Sequence, residues 1–445
     1  MKIKFIATLF IFSFFQHVYA QDLVATYRLA QQNDPQLKKS YLTQFSVAES
    51  KSQSIAQMLP NIAVSGQGSR ERISNKRARD FIDNPEGVVQ NEGITNYWDS
   101  GFAINLSQPI FHWDHWVQLS QSDNLIAQTE AQYQAEQQNL MVRTTEAYFN
   151  VLAAQDGLEF TLAEKKAIGR QLEQAQQRFD VGLIAITDVY EAQAGYDEAL
   201  ANQIEAQNEL DDNKEALREI IGENKVSLAT LTKKIDFSLP VPNNISKWSK
   251  NAETNNFNII AALNEAEVKR KDISIQKSGH LPTLDIVANY GVQDASSTQG
   301  FRGDRQSFGL ELNIPIFQGG LISSRARQAA FDFQAAKEDL LIAKRKVTRE
   351  VRVAFRDVFS SIARVRALKA TVASSKSALE ATEAGFEVGT RTMVDVLDGQ
   401  RDLYKSKQDY SKSRYDYLVS GVKLKQAASN LTEQDLNSIN KYLGN

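Results

Sequence analysis

Phe179-Asp-Val-Gly-Leu-Ile-Ala-Ile-Thr-Asp-Val-Tyr-Glu-Ala-Gln193 returns a little over two hundred residues later as Phe386-Glu-Val-Gly-Thr-Arg-Thr-Met-Val-Asp-Val-Leu-Asp-Gly-Gln400, with six of fifteen positions identical. Two shorter signatures repeat in the same order: Leu59-Pro60 with Leu281-Pro282, and Pro109-Ile-Phe111 with Pro315-Ile-Phe317. Self-similarity at one long period marks an internal duplication, each copy being one structural unit. The copies span 21–222 and 254–429. Between them lies 223–253, which carries Pro240 and Pro242 and breaks the helical periodicity; 430–445 follows the second copy.

A long stretch without helix breakers leads into each copy of the motif. Between Trp113 and Asp180 there is no proline, Gly157 and Gly169 are the only glycines, and Ala, Gln, Glu and Leu dominate. Such a stretch predicts one helix on the order of 100 Å long at ~1.5 Å per residue. Residues 321–387 repeat it. Globular helices average about 11–12 residues, so an ordinary compact domain is excluded. Ile168, Leu172, Ala175 and Phe179 fall at three-four spacing, as do Ile362, Val365, Leu368, Val372 and Leu379. That narrow stripe is a coiled-coil seam. Shorter helices are expected over 35–58, 187–221, 256–278 and 394–428. Two of them stacked end to end match one long helix, which gives an antiparallel coiled-coil arrangement.

Four strands complete the pattern, near 60–73, 98–111, 283–292 and 307–317. Trp98, Phe102, Ile104, Leu106 and Ile110 alternate with Asp99, Gly101, Ala103, Asn105 and Ser107; Phe308, Leu310, Leu312, Ile314 and Ile316 alternate with Ser307, Gly309, Glu311 and Asn313. Period two with a polar opposite face marks strands that meet lipid on one side and water on the other. Polar loops, 75–97 and 293–306, join each pair as outward-facing barrel loops do. Four strands cannot close a barrel, which takes about eight, and an open edge in lipid leaves backbone groups unpaired. The protomer must therefore oligomerise; strand count allows a dimer, trimer or tetramer. The expected fold is mainly α with a transmembrane β-barrel portion.

Composition sets the surroundings. Lys2 and Lys4, the apolar run from Phe5 to Phe15 and Val18-Tyr-Ala20 read as a signal peptide over 1–20, so the mature chain begins near Gln21. Its 49 basic and 54 acidic residues are too evenly mixed for a nucleic-acid partner. The absence of cysteine excludes disulfides, thiolate metal sites and a lipidated N-terminal cysteine. No later stretch approaches the roughly 20 apolar residues of a spanning helix, so a membrane crossing must use strands. Neither a Gly-x-x-x-x-Gly-Lys loop nor a Gly-x-Ser-x-Gly motif occurs, which argues against an enzyme. His112-Trp-Asp-His-Trp116 follows the first Pro-Ile-Phe. Its His-x-x-His spacing invites a metal, but the mature chain has only three histidines and no third ligand near in sequence. It reads as an interfacial aromatic belt with polar neighbours, with no metal and no cofactor.

Val388-Gly-Thr-Arg-Thr-Met-Val-Asp-Val-Leu-Asp398 and Val181-Gly-Leu-Ile-Ala-Ile-Thr-Asp188 carry a resemblance to the TolC (outer membrane factor) family, which extends over essentially the whole mature chain. The resemblance implies a homotrimer with twelve strands in one barrel in the outer membrane of a Gram-negative bacterium, and a long helical tunnel in the periplasm. It implies a belt around the tunnel built from 222–253 and 430–445. It implies a passive exit duct for multidrug efflux and type I protein secretion, opened by a periplasmic adaptor and an inner-membrane RND, ABC or MFS pump that supplies the energy. Asp395 and Asp398, three apart on one helix face, would form cation-binding acidic rings at the periplasmic constriction; without the resemblance they read as a pair of solvated carboxylates at a helix start. Crowding six such carboxylates about an axis would raise some of their pKa values. Arg391 would latch the entrance shut by reaching Thr187 and Asp188 of neighbouring coils, a task suited to its planar donors. Gly182 and Gly389, beside Val181 and Val388, would receive the adaptor's hairpin tips, while their chemistry alone makes them helix C-caps. Phe386 departs from the family, which has a tyrosine there. Phenylalanine cannot donate that tether's hydrogen bond, so the latch should rest more heavily on Arg391. The competing expectation is a structural periplasmic coiled-coil protein without pore activity, which leaves the alternating strands unexplained.

Overall fold

The computed structural model describes residues 21–75, 93–223, 227–232, 235–296 and 301–444; the expected signal peptide and most of the first outward loop lie outside them. In chain order the elements are α1 (Leu23–Asn33), α2 (Pro35–Ala56), β1 (Asn61–Asn75), β2 (Gly93–Phe111), α3 (Trp113–Asp180), α4 (Ile186–Ile221) and β3 (Thr230–Leu231). They continue with α5 (Ile245–Asn255), α6 (Phe257–Ser278), β4 (Thr283–Ala295), β5 (Arg302–Asn313), α7 (Leu321–Glu387), α8 (Met393–Ala427), α9 (Glu433–Asn440) and β6 (Leu443–Gly444). The 68 residues of α3 and the 67 of α7 are continuous, as the lack of breakers dictates. Among the described residues no helix is long and apolar enough to cross a membrane.

Chain contacts divide the protein into two units that cut across the sequence copies. One holds Thr43–Glu130 and Ala261–Leu341; the other holds the residues up to Leu42 with Ala131–Ile260 and Ile342–Asn445.

The first unit carries one antiparallel sheet in the order β1-β2-β4-β5. Its register puts like with like. Ile62, Leu106, Ala288 and Phe308 stand side by side across the four strands, and the row two residues on brings Val64, Ile104 and Tyr290 together. The rows between them are Ala63, Asn105, Asn289 and Ser307, then Ser65, Ala103, Gly291 and Arg305. Side chains alternate between faces along a strand, so one face is largely apolar and the other polar. On the polar face the Asn289 amide donates to Asn105 Oδ1 at 2.5 Å and Gln293 to Asp99 Oδ2 at 2.6 Å. The apolar face is bare: Val64 is 72% exposed and Phe308 80%. β1 and β5 each keep one edge with no strand beside it among the described residues. The ladder of β5 ends at Asn313, short of the alternating Ile314 and Ile316. Pro315 has no N–H to extend it. At the other end β1 and β2 run into polar sequence, Arg70-Glu71-Arg72 opposite Trp98-Tyr97-Asn96, where backbone pairing carries the strands without an apolar side.

The second unit has the larger core. Leu23 and Tyr27 of α1, Tyr148, Phe149 and Leu152 of α3, Leu217 and Ile221 of α4, Tyr415 and Leu418 of α8 and Leu436 of α9 pack together, nearly all fully buried. Two buried tyrosine hydroxyls of this core find partners: Tyr148 donates to the Ala229 carbonyl at 2.8 Å and Tyr415 to Asp156 at 2.8 Å. Asp34, almost wholly buried, accepts both guanidinium nitrogens of Arg143 at 3.0 and 3.1 Å and the Leu37 N–H at 2.6 Å. β3 pairs with β6, Thr230 opposite Gly444 and Leu231 opposite Leu443, which joins the segment between the copies to the chain's end. The predicted seams are buried where the helices meet. Ile168 and Ala175 of α3 pack on Val189, Ala192 and Ala199 of α4 and on Met393 and Leu397 of α8. Ile362 and Val365 of α7 are buried as well.

Candidate functional site

The repeated motif builds two like turns. At the end of α3 the Gly182 N–H donates to the Phe179 carbonyl and the Leu183 N–H to the Arg178 carbonyl, both at 2.8 Å, with Gly182 at φ +74°. At the end of α7 Gly389 donates to Phe386 at 3.1 Å and Thr390 to Gly385 at 2.8 Å, with Gly389 at φ +77°. These nested bonds satisfy the last carbonyls of each helix and require a left-handed residue, which is why glycine occupies both places. Chain neighbours apart, no heavy atom comes within 4 Å of where a Cβ would stand at either glycine. Beside them Val181, Leu183 and Val388 are 70, 72 and 75% exposed, so each turn presents a bare apolar tip.

The helices that follow start differently. α8 opens on a capping box: the Asp395 carboxylate accepts the Thr392 N–H and hydroxyl, both at 2.9 Å, and the Asp395 N–H donates to Thr392 Oγ1 at 3.2 Å. The Thr392 backbone bond first, then its hydroxyl and the nearby Arg391 charge, hold the Asp395 carboxyl below the usual range. Within one protomer this opposes the rise expected from a ring of like charges, and the helix-start role describes what Asp395 does in its own chain. α4 opens on Ala185, which has no side-chain group to cap it; Asp188 stands in its first turn, half-buried, and donates its N–H to the Ala185 carbonyl at 3.2 Å.

Asp398 is tied down. Arg401 Nη1 donates to it at 3.1 Å, while Nη2 donates to Glu198 of α4 at 2.6 Å. Burial pushes the carboxyl of Glu164, on α3, up, against the electrostatic pull of the same guanidinium. Arg401 thus bridges carboxylates of α4 and α8. The Asp398-Arg401 pair is visible at i,i+3, but Glu198 lies 203 residues away and no sequence signal pointed to it. Arg391 differs: among the described residues its side chain has no hydrogen-bond partner in its own chain, and neither do the side chains of Thr187 and Asp188. Its stem lies across α7, where a Cβ at Gly385 would come within 2.7 Å of Arg391 Cγ. Phe386 packs against Met393 and Val396, and the Arg178 guanidinium stands 5.4 Å over its ring. His112 and His115 sit elsewhere, at the start of α3. The expectation of no third donor near in sequence overlooked Asp114, which stands between the two histidines in the chain and whose carboxylate comes close to both in the fold.

The family model described as "outer membrane efflux protein" matches residues 26–223 and 248–430. This chain belongs to that family. Among its outer membrane efflux protein relatives, "Outer membrane protein TolC" of Vibrio cholerae is 40% identical over 431 residues, 96% of this chain and 94% of that one. "Alkaline protease secretion protein AprF" of Pseudomonas aeruginosa is 26% identical over 95% of this chain and 87% of its own. The fold is that of the Campylobacter jejuni CmeC outer membrane channel, with TM-score 0.79 at 16% identity, over 96% of this chain and 90% of that one. Both motif turns fall inside the matched segments of the outer membrane efflux protein model.

Proposed function

We propose that three copies of this chain join edge to edge, β1 of one to β5 of the next, into a twelve-stranded outer-membrane barrel, with the long helices forming a periplasmic tunnel. The assembly is the passive exit duct of efflux and type I secretion systems, in line with relatives named for the outer membrane and for protease secretion. The observation that carries this reading is the sheet: one bare apolar face, one polar face and two open edges are tolerable in lipid only if other chains close the ring. A structural coiled coil would have no use for it.

At the far ends of the long helices, Arg391 latches the entrance by donating to Thr187 and Asp188 of a neighbouring protomer. Its lack of a partner at home suits that role. Asp395 and Asp398 line the constriction, and their charge draws cations. A periplasmic adaptor docks on the exposed Val181-Gly182 and Val388-Gly389 tips, displaces the latch and shifts α4 and α8 outward; an RND, ABC or MFS pump in the inner membrane supplies the energy. Opening is a two-state change biased by partner binding.

Single-channel recordings in planar bilayers test the duct and its latch together. The wild-type protein should show a small cation-selective conductance that grows several-fold in Arg391→Ser. Stable insertion of both proteins without conductance would end the pore reading; equal, wide conductance of both would keep the duct and remove the latch.

A further inference from the structure

We propose that His112, Asp114 and His115, supported by Asp285, bind a first-row divalent cation of the zinc type where β2 passes into α3. His112 is the single residue between the two elements, and Asp114 and His115 lie in the first turn of α3. One ring nitrogen from each histidine and one Asp114 oxygen all lie within 4.8 Å of one another. The imidazoles are stacked, centroids 4.6 Å apart and planes 13° from parallel, and His115 Nε2 is 3.8 Å from Asp114 Oδ2. A fourth group comes from β4: both Asp285 oxygens lie against His112 Nε2, at 3.0 and 3.1 Å. Asp285 is fixed by the sheet, opposite Pro109 in the register.

The four side chains are withdrawn from solvent, His115 at 18% exposure, His112 at 19%, Asp285 at 21% and Asp114 at 32%. Two imidazoles and two carboxylates suit zinc, cobalt or nickel better than the all-oxygen shells of calcium and magnesium. Ligands at about 2.0–2.1 Å around a tetrahedral ion stand roughly 3.3 Å apart, so side-chain rotations of about 1 Å convert the present cluster into a shell. Asp285 serves either geometry. With the ion on His112 Nδ1 it holds Nε2 and orients the ring, the usual outer carboxylate of a metal-bound histidine; with the ion on Nε2 it becomes the fourth ligand.

The aromatic-belt reading keeps the tryptophans and loses the histidines. Trp113 and Trp116 are 47 and 55% exposed, while the histidines, one residue earlier at the same spacing, turn onto Asp285 and Asp114. A bound ion would tie the start of α3 to β4, fixing the angle at which the helix leaves the sheet.

Tag-free full-length protein in detergent, stripped with chelator and titrated with ZnCl2 by calorimetry, tests the site, with metal content read by mass spectrometry after dialysis. Wild type should hold about one zinc per chain, and its thermal midpoint should rise with zinc. Asp285→Asn should weaken binding 10–100-fold, the usual effect of losing a metal's outer carboxylate. His112→Ala/His115→Ala should abolish both binding and the thermal response, while His280→Ala, at the remaining mature histidine, should change neither. Should the double alanine variant fail to fold by circular dichroism, His115→Asn alone must weaken binding at least tenfold. No zinc on the wild type, or equal binding by wild type and the histidine variants, overturns the site.

Discussion

Arg143 and Gly385 show how single positions bear on this protein's stability and on the proposed latch. Asp34 is almost wholly buried, and two guanidinium bonds from Arg143 account for its charge; Arg143 also donates to Glu136 at 3.0 Å. Removing one partner of a buried pair strands the other, at a cost of about 3–5 kcal/mol. Arg143→Ala should therefore lower the thermal midpoint markedly, whereas Asp34→Asn/Arg143→Met should recover much of the loss; an unchanged midpoint in Arg143→Ala would show that water reaches Asp34. Gly385 works through contact. A methyl group there would stand 2.7 Å from Arg391 Cγ, too close to be tolerated without a shift of the arginine stem, so Gly385→Ala should displace Arg391 and raise single-channel conductance toward that of Arg391→Ser. Conductance at the wild-type level would mean that Arg391 does not depend on that approach. Neither contact was legible beforehand: Gly385 is one small residue in a helical run, and the Asp34-Arg143 pair joins residues 109 apart. Asp395 and Thr392 were legible in principle, because Thr-x-x-Asp before an apolar residue is a cap signature.

At the scale of elements, the two copies of the motif have kept their turns and diverged in their helix starts. Both long helices end on the same nested bonds around a left-handed glycine, but α8 begins with a reciprocal Thr392-Asp395 cap and α4 with an uncapped alanine. An N-cap side chain contributes about 1 kcal/mol, so the first turn of α4 is the weaker of the two. Ala185→Ser should raise protection of the 186–189 amides in hydrogen exchange roughly fivefold or more, and Thr392→Ala should lower that of 393–396 to a similar degree. Equal protection of both starts in the wild-type protein would remove the asymmetry. The ends of the long helices could be read to the residue, since the sequence there changes abruptly from helix formers to glycine. The strands could not. Where side chains alternate, at Phe102, Ile104 and Leu106 or Phe308, Leu310 and Leu312, period two located them. Where backbone pairing alone sustains the ladder, in the polar reach around Arg70 and Tyr97, sequence had nothing to show; and where Pro315 ends the ladder, the continuing Ile314-Ile316 alternation pointed too far.

For the whole molecule the decisive question is what covers the edges of the sheet. The apolar face tells only that lipid or protein lies against it, and chain length cannot choose among closed rings; periodicity left dimer, trimer and tetramer open for that physical reason. The edges themselves are more specific. β1 offers a 15-residue strand and β5 a 12-residue one, each with unpaired backbone groups on its outer side, and antiparallel addition of β5 to the next protomer's β1 continues the alternation of faces around a ring. Because the chain contains no cysteine, cross-links can be placed there without background. Single-cysteine pairs, one stepped along residues 62–68 and the other along 304–310, should oxidise between protomers at matched depths and give dimer and trimer bands, with the trimer as the limit. Pairs out of register should stay monomeric, because sulfurs bridge only when their Cα atoms approach within about 7 Å. A ladder that runs past three chains would replace the closed ring with an open one. Cross-linking that ignores depth would mean the sheet edges meet by collision rather than in a barrel, and the exit duct would lose the one feature of this chain that requires a membrane.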